Sequence, residues 1–235
     1  MNKIFKLFVF TAVIISSSFL LSACGSKNTS SSIPTKASTK KATEIQLADN
    51  EKPYISLIPT ADGHTLSFKM TSIPTKFSTV EYELIYTAKD QNLEIEKGVS
   101  GTVKLEGATN LTKDLLLGTA SCTNGCKYKY DEGVTNGTLN ITLKTDNNEY
   151  TSYTSPFTLK SGVDLNKEKK LVVDSLTING TATTKGEYFI ALKNFGSQYS
   201  VFSSGSGKGK ITSVEPSTVT KKDLNSLAGD YTIAQ

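Results

Sequence analysis

Apolar and polar positions divide the chain into three textures. Residues 7–21 are almost purely apolar, broken by Ser16-Ser17-Ser18. Residues 25–50 are Ser, Thr, Lys and Ala with one Pro and almost no large apolar side chain. From Pro53 onward the pattern changes to short runs of period two. Val80, Tyr82, Leu84 and Tyr86 share one face of a strand, with Glu81 and Glu83 on the other. Leu139, Ile141 and Leu143 alternate with Thr138, Asn140, Thr142 and Lys144, and Val99, Val103 and Leu105 give a third run. Such alternation marks strands with one face buried and one wet. Turn residues separate the runs: Ala61-Asp62-Gly63, Ile73-Pro74, Glu106-Gly107, Asn136-Gly137 and Asp146-Asn147-Asn148. Strands about ten residues apart with no helix between them predict an all-β fold, an antiparallel β-sandwich over residues 53–162.

A second, smaller β-rich unit is expected over residues 163–235, as a domain of its own or an extension of the first. Charged residues 164–170 read as a linker to it. Leu171-Val172-Val173 and Leu176-Thr177-Ile178 lead to a turn at Asn179-Gly180. Tyr188, Ile190 and Leu192 then alternate with Phe189, Ala191 and Lys193, and Thr220-Lys221-Lys222-Asp223-Leu224 has the look of a short capped helical turn. In strand count and length the 53–162 unit resembles an immunoglobulin-like or fibronectin-type-III-like sandwich. It lacks the Cys–Trp–Cys signature of true immunoglobulin domains.

The apolar run follows Lys3 and Lys6 with no acid before it. A basic start and a short apolar stretch form a secretory signal peptide, shorter than the ~20 apolar residues of a membrane span. It ends in Leu21-Ser22-Ala23-Cys24-Gly25, which resembles the lipobox of bacterial lipoproteins. The resemblance implies that residues 1–23 are removed and that Cys24 carries the lipid as the first mature residue. The protein is then held on the outer face of the bacterial cell membrane, or on an outer membrane where there is one. Two or more acyl chains hold stably where one is marginal. Residues 24–52 cannot bury enough apolar surface to offset the entropy of ordering, so they read as a disordered tether.

All 26 basic residues are Lys, against 22 acids, for a net charge of +4. The leader carries two Lys and no acid, and residues 24–50 carry four Lys against two acids, which leaves the rest of the chain neutral. There is no basic folded surface and no Arg for bidentate phosphate recognition, so nucleic acid is not an expected partner.

Few residues suggest chemistry. Cys122 and Cys126 enclose three residues that suit a hairpin loop, and an even pair in an exported chain reads as a structural disulfide. Redox motifs usually space their Cys by two residues, and two Cys with one His leave a zinc short of ligands. That His, His64, follows Asp62-Gly63 at an apparent turn and reads as an exposed loop residue rather than a catalytic base. The run Gly205-Ser206-Gly207-Lys208-Gly209-Lys210 fails the phosphate-loop pattern, since no Ser or Thr follows a Gly-Lys pair. Asp131-Glu132 and the acids between 146 and 149 lack the ligand spacing of a calcium loop. No cofactor and no metal are expected. Tyr128, Tyr130, Tyr150 and Tyr153 fall in neighbouring strands, where they serve as cross-strand pairs or as a stacking surface for a glycan or peptide. The leading functional expectation is a lipid-anchored surface module that binds or spaces and is not an enzyme. The alternatives are a solute-binding lipoprotein of an importer and an enzyme of envelope polymers, which would need paired carboxylates in a cleft.

Overall fold

A computed structural model describes residues 41–233 except 92, 124 and 197. The leader, Cys24 and the tether as far as residue 40 lie outside the described residues. Strands are β1 (Thr43–Glu44), β2 (Tyr54–Pro59), β3 (Thr65–Thr71), β4 (Thr79–Asp90), β5 (Leu93–Lys104), β6 (Leu111–Leu116), β7 (Gly118–Cys122), β8 (Cys126–Tyr130), β9 (Asn136–Lys144), β10 (Glu149–Ser161), β11 (Lys170–Val173), β12 (Leu176–Ala182), β13 (Tyr188–Lys193), β14 (Tyr199–Ser203), β15 (Gly209–Glu215), β16 (Val219–Thr220) and β17 (Gly229–Ile233). One α-helix, α1 (Gly162–Glu168), stands among them. The fold is all-β and sandwich-like, as the alternation predicts. No helix among the described residues is long and apolar enough to cross a membrane.

One nine-stranded sheet runs through the whole described chain in the order β16-β17-β14-β13-β10-β9-β4-β5, with β1 on the flank of β10. Its strands are antiparallel except for β1. The described residues from 163 on therefore continue the sheet of the preceding ones, because β10 pairs with β9 on one side and β13 on the other. Two three-stranded sheets cover it, β2-β3-β6 and β11-β12-β15.

Strand β13 shows how the layers stack. Ile190 and Leu192 lie in the core with Ile55, Leu57, Phe68, Leu84, Leu139 and Phe157. Phe189 and Ala191 lie in a second core with Leu171, Ile178, Tyr199 and Tyr231. Since neighbouring side chains of a strand point to opposite faces, the two covering sheets sit on opposite faces of the large one, and β13 is buried by both. Asn194, just past β13, ties the layers together. Its side chain accepts from Ile55 N (2.9 Å) and donates to Ile55 O (2.8 Å), as a neighbouring strand would.

Four local readings need correction. Residues 43–52 of the stretch read as tether are ordered. β10 between Glu149 and Pro156 has no β13 beside it, and β1 fills that gap, pairing Thr43 with Glu149 and Glu44 with Tyr150. Ile45 and Leu47 then pack on the core. The charged stretch 164–170 is mostly α1, whose N-cap Ser161 Oγ accepts from Asp164 N at 3.1 Å and whose Leu165 is buried. Asn136-Gly137 and Asn179-Gly180 are not turns. Gly137 lies within β9, where a Cβ would stand 2.2 Å from Ile85 O; Gly180 follows a register shift in β12. Thr220 belongs to β16, and Asp223 closes a turn by accepting from Asn225 N (2.9 Å), so no helical turn forms there. The expected tip at Asp146-Asn147-Asn148 does connect β9 to β10, with Asn148 at φ 66°.

Candidate functional site

Strands β7 and β8 pair only with each other and form an exposed hairpin. Their register sets Gly118 opposite Tyr130, Ala120 opposite Tyr128 and Cys122 opposite Cys126. Every second residue shares a face. One face of the arm thus carries the two Tyr, the two Cys and the small residues Gly118 and Ala120. The other carries Thr119, Ser121, Lys127 and Lys129. A Cβ on Gly118 would stand 2.3 Å from Lys129 O, so the closeness of the strands there requires glycine. The arm's outer end is closed by the Cys122–Cys126 disulfide, with Cα atoms 4.1 Å apart. A hairpin of two strands is marginal in water by itself, and the cross-link compensates for its missing core.

The base of the arm is anchored on both strands. Leu117 is buried and its N–H donates to His64 O at 2.9 Å. Asp131 is buried and its N–H donates to Leu117 O at 2.9 Å. The Asp131 carboxylate accepts from Tyr86 Oη at 2.8 Å and forms an ion pair with Lys97 Nζ. Burial first, and then the hydrogen bond and charge of Asp131, push the Tyr86 hydroxyl pKa well above the ordinary tyrosine value.

His64, in the turn between β2 and β3, meets the arm's aromatic face. Its ring stacks on Tyr130 with centroids 4.2 Å apart and planes within 6°. Tyr130 in turn lies parallel to Tyr128, with centroids 6.1 Å apart and 5° between planes. The three rings make a column from the body of the protein along the arm. Tyr128 is 55 % exposed and Tyr130 42 %, which leaves much of both rings in water. The turn that holds His64 is itself fixed. Asp62 accepts from Thr60 Oγ1 (2.6 Å) and His64 N (3.1 Å), and these hydrogen bonds, the Thr60 one foremost, lower its carboxyl pKa.

A groove of about 700 Å³ opens beside the column, lined by Asp62, His64, Glu132, Asp164, Glu168 and Tyr188 among others. Lys160, also on its wall, is held by an ion pair with Glu168 and by Lys170 O at 3.0 Å. The groove is rich in carboxylate acceptors, next to a row of aromatic rings.

The four tyrosines of the expected surface are not brought together. Tyr150 and Tyr153 lie three apart on β10 and so face opposite ways. Tyr153 is turned to the core, stacked on Phe195 at 4.1 Å, with its hydroxyl donating to Lys193 O (3.0 Å) and Asn194 O. Tyr150 sits in a shallow cleft with Ala42 and Lys144. The Gly-rich run 205–210 forms a loop that closes on its own anion. Glu187 Oε1 accepts from Ser206 N (3.0 Å) and Ser206 Oγ (2.8 Å), and Oε2 from Gly207 N (2.9 Å). The cluster at 146–149 belongs to the β9–β10 tip. Among the described residues, no three His, Cys, Asp or Glu converge to hold a metal ion.

The site component that sequence reasoning missed is His64. Its contact with Tyr130 spans most of the first sandwich in sequence, and no local pattern signals it. No family model matches the chain, and comparison with curated proteins and with solved structures returns no match.

Proposed function

We propose that this protein is a lipid-anchored extracytoplasmic module that binds a glycan of the envelope or of a host surface through its β7–β8 arm. The observation that carries the reading is the column Tyr128–Tyr130–His64, whose two exposed tyrosines stand on a disulfide-closed hairpin. Exposed aromatic rings on a rigid support supply large contact area at low entropic cost. A sugar ring presents an apolar C–H face to such a ring, and its hydroxyls find acceptors in the carboxylates of the adjoining groove. The lipobox-like leader with Cys24 would put this arm outside the cell, tethered to the membrane.

The test separates binding from anchoring. The full chain is mixed with insoluble cell-wall polysaccharide and sedimented. The wild type is retained, Tyr128→Ala and Tyr130→Ala lower retention by about ten-fold each, and Tyr128→Phe keeps it. A wild type that stays in the supernatant, or alanine variants retained equally well, refutes glycan binding by the arm. Anchoring is read from Cys24→Ser in cells fed labelled palmitate, where loss of label and release from membranes is the expected result.

A further inference from the structure

Strand β5 ends the nine-stranded sheet, and no strand pairs with its outer edge among the described residues. It is twelve residues long and contains no Pro. A long edge with a free row of N–H and C=O groups is a template for another strand. The devices that normally protect such an edge are weak here. The inward-pointing charge, Lys97, is already paired with Asp131. On the same inner face Val99 and Val103 touch the core but remain half-exposed, because the covering sheet does not reach over them fully. On the outer face Glu94 and Lys104 stand exposed at opposite ends.

We propose that β5 pairs antiparallel with β5 of a second copy of this chain, about a two-fold axis at Val99. In that register Glu94 lies opposite Lys104 of the second copy, and symmetry repeats the pair. Glu96 lies opposite Thr102, Ile95 opposite Val103, and Val99 meets its own copy. Ile95 and Val99 then meet apolar partners on the inner face and opposite charges meet at both ends of the outer face, the arrangement that stabilises cross-strand pairs. The neighbouring registers that keep the faces matched are poorer: centring on Ser100 retains an ion pair, Glu96 with Lys104, but sets Lys97 against Val103 and Val99 against Gly101, and centring on Gly98 leaves Glu94 against Thr102 and Lys97 against Val99. Centring on Lys97 sets two like charges side by side, and centring on Gly101 puts Lys104 against Gly98 and leaves Glu94 without its cation. A slip by one residue would set the apolar face of one copy against the charged face of the other.

Site-directed cross-linking of full-length chains tests both the contact and its register. A mixture of Glu96→Cys and Thr102→Cys chains, mildly oxidised, gives a covalent dimer, as does Val99→Cys alone, while Thr102→Cys alone does not. Glu96 and Thr102 are on the wet face, so those variants keep the fold even if Val99→Cys does not. Lys104→Glu raises the dimer dissociation constant about ten-fold, and the swap Glu94→Lys with Lys104→Glu restores it. A wild type that sediments as a monomer at submillimolar concentration overturns the proposal. So does a dimer that fails to cross-link at these pairs, or one that cross-links equally through Thr102→Cys alone.

Discussion

Replacing Asp131 with Leu should unfasten the arm from the core. Its carboxylate is buried at the foot of β8, with Tyr86 Oη donating to one oxygen and Lys97 paired with the other. Leucine leaves the Tyr86 hydroxyl without an acceptor, and Tyr86 is only 2 % exposed. An orphaned buried hydroxyl costs about 1–3 kcal/mol. The Lys97 side chain is one-third exposed and can turn to water, so its lost pair adds only about 0–1 kcal/mol. The sum is about 1–4 kcal/mol, which for a body of this size lowers Tm by about 2–16 °C. Asp131→Asn keeps an acceptor for Tyr86 and should cost about 1 kcal/mol. The decisive measurement is a double-mutant cycle by urea unfolding, followed by tyrosine fluorescence, since the chain has no Trp. Adding Tyr86→Phe to Asp131→Leu removes the orphan and should recover about 1–2 kcal/mol. If Asp131→Leu costs under about 0.5 kcal/mol, or if Tyr86→Phe gives no recovery, Asp131 is not the anchor described.

Three further outcomes are expected. Gly137→Ala drives a Cβ against Ile85 O and the Phe157 ring and should destabilise by about 1–3 kcal/mol, while Gly186→Ala, with nothing within 4 Å, should be neutral or slightly stabilising; paired urea titrations compare them. For Glu187, burial raises the carboxyl pKa, but the hydrogen bonds from Ser206 and Gly207 outweigh it and lower the net value below 4.5. Its stabilisation is therefore complete above pH 4.5 and is lost as pH falls through the lower folded value, so loop 203–210 should gain hydrogen exchange below that pH in the wild type. In Glu187→Gln the same loop should exchange faster already at neutral pH, with little further change on acidification. Reducing Cys122–Cys126 should fray β7–β8, raising amide exchange there, while global unfolding shifts little because no residue of either strand belongs to a core.

The all-β class and the long strands were legible because their cause is local: side chains alternate faces, and residues such as Leu139, Ile141 and Leu143 record which face is dry. The disulfide was legible for the same reason, as three residues between Cys fit one hairpin. Glycine misled, because its two uses look alike in sequence. Gly63 takes φ 72° in a turn, whereas Gly137 is glycine only because another strand's carbonyl and a Phe ring occupy the space of its Cβ. The preceding Asn makes Gly137 and Gly180 look like turns.

The separation of residues 163–235 from the first sandwich rests on a charged stretch alone, whereas β13 argues for continuity. Phe189, Ile190, Ala191 and Leu192 are apolar on both faces, and such a run belongs where a strand is covered on both sides. Within a chain of this length two covers require two further layers, so a run of this kind argues for one sheet shared by two cores. The candidate site had no comparable signal. The Tyr128–Tyr130 pair follows from period two on a single strand, but the third ring arrives through tertiary structure. β6 beside β3 brings Leu117 to His64 O, and that bond sets the base of the arm beside the His64 turn. A shift of one residue in β8 would turn Tyr128 and Tyr130 away from His64 and present Lys127 and Lys129 instead, so the column depends on a register that Gly118 and the disulfide hold at its two ends.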